Sequence, residues 1–117
     1  MSTVVARAEI QAGICGFRTS VLATAERSRL VSFTVETNCE TVAALATALT
    51  EHGDFDAIDE IDPRTEGSLM PLVRANLHGC CAGCAVPVGL FKAMQVAAGL
   101  ALPKDIEIAL SLDRSAQ

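Results

Sequence analysis

Apolar and polar residues alternate in three stretches near the start of the chain. Val4, Ala6, Ala8 and Ile10 are interleaved with Val5, Arg7 and Glu9, the period of two that sets one side of a strand against a core. A second run, Phe17 to Glu26, sets Val21, Ala23 and Ala25 opposite Leu22 and Thr24. A third, Leu30 to Glu36, puts Val31, Phe33 and Val35 on one face and Ser32, Thr34 and Glu36 on the other. The connectors are short: Gln11 to Gly16, with two glycines around Cys15, and Arg27-Ser28. They leave room for reversals only, so the three strands are expected to form an antiparallel meander.

The period then lengthens. Thr37-Asn38-Cys39-Glu40 has the spacing of a capping box, and Val42, Leu45, Ala46 and Leu49 follow at helical intervals as far as His52-Gly53. From Glu51 to Glu66 seven acidic residues stand against one Arg. This reads as a solvated connector with one helical turn at Ala57 to Ile61. A short helix is expected over Ser68 to Asn76, with Leu69, Leu72 and Val73 buried. Another begins near Pro87, buries Leu90, Phe91, Met94 and Ala98, and closes at Gly99 and Pro103. Ile106, Ile108, Leu110 and Leu112 alternate with Asp105, Glu107 and Ser111, which predicts a fourth, C-terminal strand. The fold class is therefore α+β: a three-stranded antiparallel meander plus a fourth C-terminal strand, packed with two or three helices. The 117 residues are expected to form a single domain, 1–117, large enough to bury a core without disulfides.

Composition narrows the chemistry. The net charge is −5, there is no Trp or Tyr, and the only aromatic surface is four Phe. Phosphate neutralisation and base stacking both lack their usual residues, so nucleic acid is not an expected partner. The longest apolar stretch, Val86 to Leu102, is interrupted by Lys92, Gln95 and Gly99, so no membrane span is expected. Five cysteines, an odd number, with no secretory leader pattern, argue against a disulfide framework and for a reducing, cytoplasmic setting. In that setting clustered thiols are metal ligands or redox groups more often than bridges.

Topology gathers these thiols. In a meander the ends of the first and third strands share one rim of the sheet, and Cys15 and Cys39 follow those two ends. Leu77-His78-Gly79-Cys80-Cys81-Ala82-Gly83-Cys84 supplies a C-x-x-C pair, Cys81 and Cys84, with Cys80 and His78 as further donors. Cys39 lies at a helix start and Cys84 just before one, positions that favour the thiolate needed for metal binding or for nucleophilic and redox chemistry. Singly, each cysteine is as readily a small buried hydrophobe, and His78 a solvated histidine; together they suggest one site. His52, beside Gly53, is expected to be a helix-end or solvated residue.

The order of features resembles the iron–sulfur scaffold family related to IscU and the N-terminal part of NifU. Ile14-Cys15-Gly16, Asn38-Cys39-Glu40 and Leu77-His78-Gly79-Cys80 occupy the places of that family's three ligand segments. The resemblance implies an IscU-like fold and thiolate ligation of a cluster or zinc. Phe17 stands where the scaffolds have an aspartate, and Cys81 and Cys84 are additional. The stretches Cys84-Ala85-Val86-Pro87-Val88-Gly89-Leu90-Phe91-Lys92-Ala93 and Gly99-Leu100-Ala101-Leu102-Pro103-Lys104-Asp105 are also similar to a family of short, uncharacterised prokaryotic proteins, a likeness that covers nearly the whole chain and implies no activity.

The expectation is a cysteine-rich protein that binds an iron–sulfur cluster or Zn through Cys15, Cys39, Cys80, Cys81, Cys84 and His78. It would act as a scaffold or carrier rather than an enzyme. Its expected partners are the metal ion or cluster and a protein, a second copy of the chain being one candidate. Two alternatives stay open: a thiol redox enzyme using a helix-start cysteine and the C-x-x-C, and a non-catalytic interaction module built on the acidic stretch.

Overall fold

The computed structural model describes residues 3–27 and 29–114, without the side chains of Arg27 and Cys80. Three strands form the expected meander: β1 (Val4–Gln11), β2 (Arg18–Arg27) and β3 (Leu30–Thr37). Arg27 closes β2, while Ser28, expected in the turn, lies outside the described residues. β1 and β2 pair without interruption from Val4↔Ala25 to Gln11↔Arg18. β2 and β3 pair from Thr19↔Thr37 to Ala25↔Val31, with a shift between Ala25 and Arg27.

The period-two pattern predicts the buried face. Ala6, Val21, Ala23, Ala25, Val31 and Phe33 are all buried, while Ala8, Ile10 and Val35 are half-buried against the same core. Helices cover this face alone, which is the two-layer solution for a sheet with one apolar side. α1 (Glu40–His52) packs on β3, and α4 (Val86–Ala97) packs on β1 and β2. α3 (Leu69–Asn76) packs on α1. Val42, Leu45 and Leu49 form the buried stripe of α1, and Leu69 and Val73 that of α3.

Between α1 and α3 the acidic connector contains more than a helical turn. Phe55–Asp56 is a short fourth strand, β4, which pairs antiparallel with Leu30 and Val31 of β3, giving the sheet order β1-β2-β3-β4. Phe55 is fully buried, with its ring 5.6 Å from that of Phe33 and stacked at 4.0 Å on His52. Asp56 then caps α2 (Ala57–Ile61) through hydrogen bonds from the Ile58 and Asp59 N–H groups, and its other oxygen meets Arg29 at 2.6 Å. Two residues have no period to read, so the strand was hidden among charges.

Three expectations change. The fourth strand of the sheet is β4 and not the C-terminal segment: residues 102–114 carry no helix or strand, and Ile106, Ile108, Leu110 and Leu112 are exposed. Alternation specifies the two faces of a strand but not the edge that pairs with it. The expected capping box is absent. α1 is capped at Cys39 with no side-chain cap bond, because Asn38 Oδ1 accepts the Arg18 N–H across the sheet and the Thr37 hydroxyl is engaged there too. The buried face of α4 is rotated, with Val86, Leu90, Ala93, Met94 and Ala97 inside and Phe91 and Ala98 only half-buried.

Candidate thiol site

The register sets Ile10, Thr19 and Thr37 side by side at one end of the sheet, with Gln11 opposite Arg18 one residue further out. The Asn38 N–H reaches the Arg18 carbonyl at 3.4 Å and continues the ladder by one residue. Beyond β1 and β2 projects a hairpin loop closed by Ala12 N–H to Phe17 O (3.1 Å) and tightened by Gly16 N–H to Gly13 O (2.9 Å). Gly16 there has φ of 75°, a conformation costly for a residue with a Cβ. Cys15 sits in this loop, exposed, beside a fully exposed Ile14.

Cys39 lies on the same rim, at the start of α1 in extended conformation (φ −100°, ψ 121°). Its N–H donates to Thr37 Oγ1 at 3.1 Å, and its carbonyl accepts the Ala43 N–H at 2.8 Å. Thr37 donates to the Arg18 carbonyl (3.2 Å), so the buried Thr19 hydroxyl, 2.8 Å away, is the donor to Thr37. This threonine chain satisfies a buried polar group and holds the α1 start against β2. Sequence reasoning did not single it out; the only signal was the pairing of two threonines across a meander.

The third segment arrives through α4. Gly89, in the first turn of that helix, sits directly over Ile10, next to the rim end of β1: a Cβ on it would stand 2.9 Å from Ile10 Cγ1 and 3.7 Å from Ala8 Cβ. The helix therefore begins at the rim. Just before it a 3₁₀ turn spans Gly79–Gly83, with Cys81 N–H bonded to His78 O (3.2 Å) and Cys84 N–H to Cys81 O (3.1 Å). The Val86 N–H points at Cys84 Sγ at 3.4 Å. Pro87 follows within the first turn of α4, where its missing N–H costs nothing.

The strand ladder and the Gly89 contact thus bring all three cysteine-bearing segments to one end of the sheet. Cys39, Cys81 and Cys84 are half-buried and touch the core, whereas Cys15 and His78 face solvent. The side chain of Cys80 lies outside those described. The four described cysteines are free thiols. Among the described residues no three His, Cys, Asp or Glu side chains converge closely enough to hold a metal ion.

The opposite end of the sheet carries the acidic connector, around an open hollow of about 370 Å³ lined in part by His52, Asp54, Asp59 and Glu60. Its carboxylates have local work. Arg29 beside Asp56 holds that carboxyl below the usual carboxylate range, assisted by the Asp59 and Ile58 N–H groups. Glu60 accepts the Ser68 and Leu69 N–H groups (2.8 and 2.9 Å) and so satisfies the start of α3. Arg64 likewise lowers Asp62 through a side-chain hydrogen bond.

Fold and rim together define a small two-layer α+β protein with thiols gathered at one end of an antiparallel sheet. The chain belongs to the family of unknown function DUF6951, which it matches over residues 6–110. No curated protein and no solved structure matches it. Among the described residues no helix is long and apolar enough to cross a membrane.

Proposed function

We propose that the protein binds a metal through its rim thiols, as a zinc ion or an iron–sulfur cluster. Cys15, Cys39 and Cys84 would be the core ligands, and Cys80, Cys81 or His78 would complete the set. The observation that carries this reading is the register, which sets the Cys15 hairpin and the Cys39 helix start at one rim; the contact of Gly89 with Ile10 sets the start of α4, which the Cys84 segment precedes, toward that rim.

The donor chemistry fits. Thiolates suit zinc and iron–sulfur clusters alike, and free thiols at these positions suit a reducing compartment such as the cytoplasm. Cys39 and Cys84 are the anchored pair, each against the core, and the Val86 N–H orients Cys84 in the way that outer-sphere donors fix metal ligands. Because the described donors stand apart, capture of a metal requires the Cys15 loop and the 3₁₀ turn to draw inward. Gly13 and Gly16 in the one segment and Gly79 in the other, all at positive φ, are the positions where the backbone can change conformation without a Cβ penalty. The protein's role on this reading is to carry or scaffold the metal, with no catalytic step assigned.

Metal analysis of anaerobically purified protein, joined to its absorption spectrum, tests the proposal. Visible absorbance lost in both Cys39→Ser and Cys84→Ser supports a cluster; a colourless protein with stoichiometric zinc lost in the same variants supports the zinc form. Metal-free protein, or metal content unchanged in the double variant, refutes both. If Cys81 and Cys84 instead cycle between dithiol and disulfide without metal, the redox alternative replaces it.

A further inference from the structure

Residues 105–112 have the sequence of a strand and no sheet to join. Ile106, Ile108, Leu110 and Leu112 are 50, 70, 92 and 74% exposed. The molecule measures 58 Å along one axis and 28 Å along the other two. That excess is about what nine extended residues span at 3.3 Å each, so the segment projects from the body instead of folding back on it. The radius of gyration, 15.1 Å, likewise exceeds the roughly 13 Å of a compact chain this long. Four large apolar side chains on an isolated extended segment are a costly exposure.

The sheet has a matching vacancy. β1 is an edge strand of eight residues, as long as the segment, and its outer side is unpaired among the described residues. Val4 belongs to the inward row of Val4, Ala6, Ala8 and Ile10, yet is 45% exposed, and Ala8 and Ile10 are only half-buried. The inner face is therefore under-covered along this margin. The other margin, β3 beyond β4, offers Thr34 and Glu36 on its outward row and no cation. The outward row of β1 carries Arg7, exposed and only 3.9 Å from Glu9. A strand whose outward row is Asp105, Glu107, Ala109 and Ser111 meets a neutral Arg7–Glu9 pair on β1, with a cation for its carboxylates to approach, but only the uncompensated Glu36 on the outward row of β3.

We propose that residues 105–112 add as a strand to the outer edge of β1 in a second copy of this chain, and that two copies exchange these segments reciprocally. Ile106, Ile108, Leu110 and Leu112 then extend the row of Ala6, Ala8 and Ile10 beside α4, while Asp105 and Glu107 lie near Arg7. The exchange also covers an open edge that would otherwise invite indiscriminate pairing. It is closed by two-fold symmetry, so it yields a dimer and not a fibre.

Light scattering coupled to gel filtration, over a range of concentrations of the full chain, is expected to give twice the chain mass. Ile108→Lys with Leu110→Lys is expected to give the monomer with unchanged far-UV circular dichroism, since both positions are exposed in the single chain. Arg7→Glu should weaken the dimer about tenfold, and Glu107→Arg in that background should restore it. Hydrogen exchange should protect 105–112 only at concentrations where the dimer forms. A full chain that stays monomeric at its highest soluble concentration overturns the proposal, as does a dimer indifferent to these variants. Protection of 105–112 within the monomer, which would mean pairing in cis, also overturns it.

Discussion

Replacing Gly89 by alanine sets two opposed effects against each other at the contact that seats α4 on the rim. Gly89 lies inside the helix, and helix propensity alone makes alanine there about 1 kcal/mol more stable. Against this, the new Cβ falls 2.9 Å from Ile10 Cγ1 and meets the Cδ1 methyl as well, so either Ile10 turns or the helix lifts. A β-branched side chain forced off its rotamer costs about 0.5–1.5 kcal/mol. Losing burial of its terminal methyl costs about 0.8 more. The steric cost exceeds the propensity gain, and Gly89→Ala is expected to lower stability by about 0.5–1 kcal/mol in urea unfolding. Ile10→Ala removes both offending atoms, so in that background Gly89→Ala should raise stability by about 1 kcal/mol. The resulting coupling of roughly 2 kcal/mol lies within the range measured for residues in contact. Stabilisation by Gly89→Ala in the otherwise native chain would refute the reasoning, and with it the close approach of the α4 start to β1.

Two further outcomes test the opposite end of the sheet. Phe55→Ala empties a fully buried site between Phe33 and His52, and should cost about 3–5 kcal/mol in a urea titration; a loss under 1 kcal/mol would show that β4 is not part of the core. The Asp56 carboxyl titrates below its ordinary value because of Arg29 and the α2 N–H groups. Its stabilising contribution is therefore complete above about pH 4 and disappears as pH falls through the lowered value. Melting curves at pH 7 and at acid pH should show Asp56→Asn losing less stability on acidification than the native chain, and equal losses would count against this linkage.

Strands β1 to β3 were legible because each buries one face, and a one-residue slip would turn Val21, Ala23 and Ala25 out to solvent. The α1 stripe of Val42, Leu45 and Leu49 was legible for the same reason at the helical period. The rim followed from topology: two reversals place Cys15 and Cys39 at one end whatever the side chains do. Other features were settled by partners distant in sequence, which local periodicity does not encode. Phe55 finds Val31 and Phe33, and Thr37 turns to Thr19 and Arg18 in preference to capping α1. Residues 105–112 alternate as a strand should, but the edge they were expected to find within the chain is not where they lie. The facing of α4 depends on Gly89, whose absent side chain allows the helix to approach β1 and turns Ala93 and Ala97 inward.

The pairing of α4 with β1 also bears on the order in which the molecule is made. β1, β2, β3 and α1 can assemble from neighbouring segments as they leave the ribosome, so the Cys15 and Cys39 regions acquire their places early. The Cys81 and Cys84 segment is synthesised later, and the helix that seats it must close the longest loop in the fold, a contact that pays its entropy before it is rewarded. Until that helix docks, the inner face of β1 and β2 stays open. The rim is thus built in two stages, its β-sheet part from local segments and its α4 part only when the longest-range contact of the fold has formed.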